Sequence, residues 1–322
     1  MKILVTGGAG YLGSVLTRRL LDAGHYVRVL DTLLFGDDSL NDLKSNPRFQ
    51  LLKGDISNLH DVNNAMTDVH GVIALAAIVG DPACKINGDL SVRTNYWATK
   101  LLAEVAESQG VTKFLFASTC SVYGASEGAL STEEGWTNPL SLYAETKINS
   151  EKALMDMNGK LTPSILRLST LCGPSYRMRF DLVLNIMTAT AYSDNVVKVF
   201  GGNQFRPLLD VSDAARSFQH LLEMPNEEIS HRIYNIGSPT HNISISDLGN
   251  IVSETMGGVP IVNNPDVVDD RSYKVDFSRI QSLGFNGVKP LEESVRGVAK
   301  LFEEKTVIDY KENRYYNSRF DY

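Results

Sequence analysis

The sequence predicts an α/β protein in which a doubly wound parallel sheet carries a smaller α/β substrate-binding lobe. Short apolar, β-rich runs recur at residues 3–5, 26–30, 49–52, 72–75, 114–117 and 165–168, and a helix-length segment separates each from the next. Such alternation is typical of a parallel sheet with helices on both faces. A second observation is that the regular alternation of strand-like and helical segments ends after Gly173 and Pro174. This indicates a second lobe with a different architecture.

The elements after residue 173 set the expected domain boundaries. Helical patterns at 181–192 and 213–222 alternate with strand-like runs at 196–200 and 233–236. We therefore expect a first domain of residues 1–172 with 207–238, and a second lobe of 173–206 with 239–303. The tail, 304–322, is polar but carries five aromatic residues, Tyr310, Tyr315, Tyr316, Phe320 and Tyr322. It either packs on the body or on a partner, or it frays.

Composition excludes several classes of function. A net charge of −7 and the absence of a Lys/Arg run argue against a nucleic-acid partner. The three cysteines have neither metal-ligand spacing nor a disulfide framework, so we expect no metal. The longest apolar stretch, 72–79, is too short to cross a membrane, and no signal-like segment opens the chain. The expectation is a cytoplasmic protein with no membrane association.

A glycine loop follows the first strand. Gly7, Gly10 and Gly13 precede a helical pattern, and such a loop brings backbone N–H groups and the positive end of a helix dipole to a phosphate. Asp31 ends the second strand, where a carboxylate can accept hydrogen bonds from ribose hydroxyls. Together they predict a Rossmann-type dinucleotide site. NAD is favoured over NADP, because Asp31 would repel a 2′-phosphate and no arginine follows at 32–34.

Asp55 follows the third strand. It either reaches the adenine edge of the dinucleotide or serves as a turn or capping residue.

Tyr143 and Lys147 lie four residues apart on one face of a predicted helix. A phenol has an ordinary pKa near 10, and a nearby ammonium lowers that pKa, so the pair is suited to proton transfer. Ser118 and Thr119 end the fifth strand, at the carboxyl edge of the sheet where ligands bind in open α/β folds.

Taken together, these motifs resemble the extended short-chain dehydrogenase/reductases of the sugar-nucleotide epimerase/dehydratase family. The resemblance covers nearly the whole chain. Its features are the glycine loop at 6–13, Asp31, 54–56, 75–77, Asn95, the Tyr143/Lys147 pair, Arg167, Arg206 with Asp213, and 283–285 before 291–294.

The resemblance implies a role for each site residue. Tyr143 is implied as the base that takes a sugar hydroxyl proton, Lys147 as the group that binds the nicotinamide ribose, and Thr119 as a hydrogen-bond partner of the reacting oxygen. The implied NAD-binding residues are Gly7, Gly10, Tyr11, Leu12, Gly13, Asp31, Asp55, Ile56, Ala76, Asn95, Tyr143 and Lys147. The implied residues for a nucleoside-diphosphate sugar are Ser118, Thr119, Thr170, Arg179, Arg206 and Arg271. A homodimer is also expected.

The residues after Thr119 narrow the reaction. Family members that dehydrate place an Asp-Glu pair there, whereas this chain has Cys120 and Ser121. Epimerases acting at C3 and C5 use a Cys and a His, but no His occurs between His70 and His220. We therefore interpret Cys120 as a small strand-end residue and expect oxidation at one carbon, C4.

An epimerase acting through a C4-keto intermediate is favoured. A nucleotide-sugar 4-dehydrogenase or 4-ketoreductase, on a hexose or a heptose, remains open, because residues 76–85 and 177–179 look similar to nucleotide-heptose 4-dehydrogenases. A catalytically silent dinucleotide-binding regulator is disfavoured, since it would need neither Thr119, Tyr143 nor Lys147.

Overall fold

A computed structural model of the chain describes residues 1–264 and 271–320. Tyr322 of the aromatic tail therefore lies outside the described residues. Within these residues, fourteen strands and twelve α-helices are numbered below in chain order.

A seven-stranded sheet forms the centre of the molecule, and all its neighbouring strands run parallel, in the order β11-β7-β5-β4-β1-β2-β3. This confirms the predicted α/β class and the Rossmann-type sheet. The strands are β1 Lys2–Thr6, β2 Tyr26–Asp31, β3 Phe49–Lys53, β4 Gly71–Ala74, β5 Lys113–Thr119, β7 Thr162–Leu168 and β11 Arg232–Ile236.

Helices cover both faces of the sheet. They are α1 Tyr11–Asp22, α2 Leu59–Met66, α3 Asp81–Ile86, α4 Gly88–Val92, α5 Ala98–Ser108, α6 Leu142–Met155, α8 Val211–Glu223 and α9 Asn226–Ile229. A π-helical turn, Arg93–Trp97, leads into α5. β1 shows why the strands read as continuous apolar runs: Ile3 and Val5 face one core, Leu4 faces the other, and all three are fully buried.

The remaining elements lie outside the main sheet, and those within 173–206 and 239–303 fall in the predicted second lobe. They are β6 Ala125–Ser131, β8 Thr170–Cys172, α7 Val183–Asp194, β9 Val197–Phe200, β10 Phe205–Asp210, β12 Asn242–Ser244, α10 Ile245–Thr255, β13 Ile261–Asn264, β14 Ser272–Val275, α11 Ser278–Ser282 and α12 Leu291–Glu303. They form three small sheets: β12-β10-β8, β13-β9 and β14-β6.

The sheet topology determines where a ligand can bind. The chain builds outward from β1 to β3, then returns to place β4 on the other side of β1. The reversal opens a crevice at the carboxyl ends of β1 and β4, which is where open α/β sheets bind ligands. Among the described residues, no helix is both long and apolar enough to cross a membrane.

Candidate functional site

A cavity of about 830 Å³ lies at the carboxyl ends of the strands and extends between the main sheet and the second lobe. Its walls bring together most of the residues that the sequence nominated. They include Gly7, Gly10, Tyr11, Leu12, Gly13, Asp31, Asp55, Ile56, Ala76, Tyr143 and Lys147 for the cofactor, and Ser118, Thr119, Thr170, Arg179, Arg206 and Arg271 for the substrate.

The glycine loop fits a dinucleotide pyrophosphate. Gly7 has a φ of +72°, and a Cβ there would lie 2.8 Å from the backbone nitrogen of Ala76. A Cβ on Gly13 would lie 2.2 Å from the carbonyl oxygen of Gly7, so the helix can approach the loop only without a side chain. Helix α1 begins at Tyr11, and within the described part of the chain no side chain caps it at Gly10. Its first N–H groups are therefore available to an anion.

Asp31 marks the nucleoside end of the cavity. One carboxylate oxygen accepts a hydrogen bond from the Ala9 N–H at 3.0 Å and the other from the Leu33 N–H at 2.9 Å. Burial raises the pKa of Asp31, while the two N–H groups and the Arg177 guanidinium oppose that rise. The carboxylate is thus oriented by the backbone and retains acceptor capacity for ribose hydroxyls.

Lys147 is held against the end of β5. Its Nζ donates to the Ala117 carbonyl at 2.8 Å and lies 5.9 Å from the centroid of the Tyr143 ring. The side chain is 2% exposed, and burial lowers its pKa to about 8.

Tyr143 differs from the sequence expectation. The sequence predicts that the ammonium of Lys147 lowers its pKa. In the structure, burial raises the pKa of Tyr143 well above its ordinary value, with Cys84 adding to the rise and the Arg179 guanidinium opposing it. Desolvation of the phenolate outweighs the available positive charge. Tyr143 consequently carries its proton at neutral pH in this environment.

Thr119 ends β5, and its Oγ1 accepts a hydrogen bond from the Ser121 N–H at 3.1 Å. Its neighbour Ser118 also lines the cavity, and its buried hydroxyl donates to Glu151. Contact between Ser118 and a substrate stays a prediction.

Asn95 has a structural role, because its side chain holds a loop next to the cavity. It is fully buried and does not line the cavity. Its Oδ1 accepts from the Ile78 N–H at 2.8 Å, and its Nδ2 donates to the Ile78 carbonyl at 3.0 Å and the Thr146 hydroxyl at 3.3 Å. It ties the loop after β4 to helix α6, so any effect on the cofactor is transmitted through that loop.

The arginines of the cavity wall are held by acidic and backbone groups. Arg179 donates two hydrogen bonds of 2.9 Å to the two oxygens of Asp181. Burial by itself would raise the pKa of Asp181, but the Arg179 guanidinium holds that pKa below its ordinary value. Arg271 donates to Asp81 at 2.5 Å, and Arg206 donates to the carbonyl of Arg271.

Sequence reasoning missed two groups of cavity residues. Asp181 stands two positions after Arg179, and residues so spaced in an extended segment share a face, which is a signal the sequence did contain. Arg177 lies 3.8 Å over the ring of Phe35 at the Asp31 end of the cavity. Phe35 and Arg177 are far apart in sequence, so no local pattern pairs them.

Cys120 is buried, and its thiol donates to the Arg167 carbonyl at 3.2 Å. Burial raises its pKa, so the thiol remains protonated. This agrees with the interpretation of Cys120 as a small strand-end residue. Within residues 1–264 and 271–320 there is no cluster of three or more His, Cys, Asp or Glu side chains that could hold a metal.

The chain is similar in sequence to a known protein family and to several characterised enzymes. A profile described as the NAD dependent epimerase/dehydratase family matches residues 3–237. UDP-glucuronic acid decarboxylase 2 of Arabidopsis thaliana is 28% identical over 97% of this chain, and the chain spans 64–71% of the length of three such decarboxylases from that plant. UDP-glucose 4-epimerase of Corynebacterium glutamicum is 28% identical over 74% of this chain and 75% of its own length.

Among solved structures, the UDP-glucuronic acid 4-epimerase of Bacillus cereus, in complex with UDP-glucuronic acid and NAD, is 28% identical. It superposes with a TM-score of 0.85 over 95% of this chain and all of its own.

Proposed function

Because the chain belongs to the NAD-dependent epimerase/dehydratase family, whose members act on nucleotide sugars, we propose that it is a nucleotide-sugar epimerase working through a C4-keto intermediate. NAD is the cofactor of the family. Which reaction the protein catalyses depends on the acid–base groups around Thr119 and Tyr143.

The observation that carries the proposal is the chemistry next to Thr119. Dehydration needs an acid and a base beyond the tyrosine, but the two positions after Thr119 hold a buried thiol and a serine. Asp81 and Asp181, which line the cavity, are both engaged by arginines. One proton-transferring phenol and one hydride acceptor suffice to oxidise and reduce a single carbon.

The proposed mechanism assigns a task to each side chain. Once the Tyr143 phenol has lost its own proton, its oxygen takes the C4 hydroxyl proton and later returns it, and Thr119 orients the C4 oxygen. Lys147 holds the nicotinamide ribose and, when protonated, favours the phenolate of Tyr143. NAD supplies the hydride acceptor when bound. Epimerisation then requires the ketone to present its other face before it is reduced.

The cation-rich wall of the second lobe supports a diphosphate substrate. Arg206 and Arg271 adjoin each other, and guanidinium groups bind phosphate oxygens in pairs. We assign the nucleotide of the substrate to this lobe, residues 173–206 with 239–303.

A second copy of the chain is proposed as a partner. Trp97 is 55% exposed and Ile86 is 50% exposed near helices α5 and α6. We propose that these side chains lie in the contact between the two copies, because a symmetric pair of copies would bury the same residues twice. Light scattering of the purified protein should give the mass of a dimer, and Trp97→Asp should shift that mass towards the monomer.

The function is tested with a panel of nucleotide hexoses and heptoses incubated with the NAD-loaded protein. The proposal expects a C4 epimer of at least one substrate, with no added NAD or NADH consumed in proportion. Tyr143→Phe is the matched control, because it removes one oxygen and leaves the ring. Stoichiometric accumulation of a ketosugar would favour the dehydrogenase, and loss of carbon dioxide from a uronic acid would favour a decarboxylase.

A further inference from the structure

The end of the chain is docked on the second lobe. The Tyr310 hydroxyl donates to Asp194 at 2.9 Å, and the Phe180 N–H donates to the Tyr315 carbonyl at 3.0 Å. The rings of Phe180 and Tyr315 meet edge to face at 5.3 Å. These contacts fix the path of residues 313–320, which we call the C-terminal strap.

The strap crosses from the second lobe to the main sheet. Asn317 is 5% exposed, and its Nδ2 donates to the Val79 carbonyl, in the loop after β4, at 3.1 Å. Its N–H donates to Asp181 at 3.4 Å. Asn317 and Ser318 both line the cavity, so the strap is part of the ligand wall as well as a brace between two loops.

Beyond Asn317 the strap reaches the nucleoside end of the cavity. The Phe320 ring packs on the ring of Phe35, with centroids 4.5 Å apart and planes at 85°. Phe35 lines the cavity shortly after Asp31, and Arg177 covers its face at 3.8 Å. The charge of Arg177 acts on Asp31 as well. The strap, Phe35 and Arg177 therefore form one wall beside the expected position of the adenosine ribose.

We propose that the C-terminal strap is a further cofactor-binding segment, which must detach before NAD can enter or leave. Its ring contact with Phe35 and its hydrogen bond to Val79 have to break for the nucleoside end to open. The bound dinucleotide is then retained over many turnovers. This role of the strap rests on the proposed function in one respect. Retention of NAD suits an epimerase, because an epimerase returns the hydride to its substrate. A dehydrogenase must instead exchange NADH.

The test measures the rate at which bound NAD leaves the NAD-loaded protein. A large excess of alcohol dehydrogenase and ethanol converts released NAD to NADH, which is followed by absorbance. Phe320→Ala should release NAD about 2- to 10-fold faster, the range expected for losing one aromatic pair. Ending the chain after Glu312 should accelerate release further. Ile308→Ala is the control, because Ile308 lies in the same tail, is 82% exposed and does not line the cavity.

A double variant and the single Phe320→Ala variant provide two further tests. Phe35→Ala combined with Phe320→Ala should release NAD no faster than the faster single variant, because both remove the same contact. If the shortened chain does not fold, the Phe320→Ala variant decides. Wild-type release rates in a folded Phe320→Ala protein would overturn the proposal. Failure of the proposed function is distinguishable, since it would appear as absent sugar turnover while the release rates still respond to the strap.

Discussion

The buried ion pair behind the site offers a stability prediction. Glu151, on the same helix as Lys147, accepts hydrogen bonds from the Arg167 Nε at 3.1 Å and Nη2 at 2.7 Å, and from the Ser118 hydroxyl. The side chains of Arg167 and Glu151 are only 5% and 4% exposed. The pair joins α6 to β7 and β5, so it fixes the helix of Tyr143 and Lys147 against the strand of Thr119.

We predict that Glu151→Gln lowers the free energy of unfolding by about 3–5 kcal/mol, because it leaves the Arg167 charge buried without its counter-charge. Such a loss is a large part of the 5–15 kcal/mol typical of folded domains. Urea denaturation, followed by circular dichroism, measures the change.

The control is an exposed pair on α5. Lys100 Nζ and Glu104 Oε1 are 3.8 Å apart and both side chains are about half exposed, so Glu104→Gln should cost less than about 1 kcal/mol. Adding Arg167→Met to Glu151→Gln should restore part of the stability, because no unpaired charge remains. Equal losses in Glu151→Gln and Glu104→Gln would refute the assignment of a structural charge pair.

Four further outcomes concern the site itself. Tyr143→Phe should retain NAD and lose activity by about 10²–10⁴-fold, as measured by initial rates, because only the proton-carrying oxygen is removed. Cys120→Ala should stay within about tenfold of wild type, because its thiol is buried and protonated; an inactive, NAD-loaded variant would contradict this. Arg271→Ala should mainly raise KM, since a diphosphate is bound in both ground and transition states; a fall in kcat alone would argue against diphosphate binding. Lys147 has a pKa of about 8 when folded and an ordinary value of 10.5, so the unfolded chain binds more protons between these pH values and wild-type stability rises with pH there. Relative to Lys147→Met, denaturation curves should show a gain of about 3 kcal/mol from pH 8 to 10.5, and a flat difference would show that Lys147 is not desolvated.

The main sheet was predictable because each of its strands contains a short, mostly apolar run. The pairing of β6 with β14 was not predictable, since β6 is a polar, glycine-containing segment and the paired residues lie 144–147 positions apart in the chain, as in Ser131↔Val275 and Ala125↔Ser272. Local patterns carry no signal for so distant a pairing.

The candidate site was predictable where a motif specifies its own geometry. The glycine loop and the Tyr143/Lys147 pair carry their spacing in the sequence, and the structure brings them to one cavity. Asn95 and Ser118 were assigned by resemblance, and their hydrogen bonds to Ile78 and Glu151 join residues far apart in sequence, which no local motif specifies. The wall formed by Phe35, Arg177 and the strap arises from tertiary packing alone.

An isotope label at C4 distinguishes return of the hydride to the same carbon from its loss. A nucleotide sugar that the protein turns over is prepared with deuterium at C4 and incubated with the NAD-loaded protein in ordinary water. We predict a C4 epimer of unchanged mass that keeps its deuterium, because the hydride leaves C4 and returns to it. The absorbance of NADH should not rise. Deuterium recovered in released, reduced cofactor, or a product lighter by one water, would contradict it.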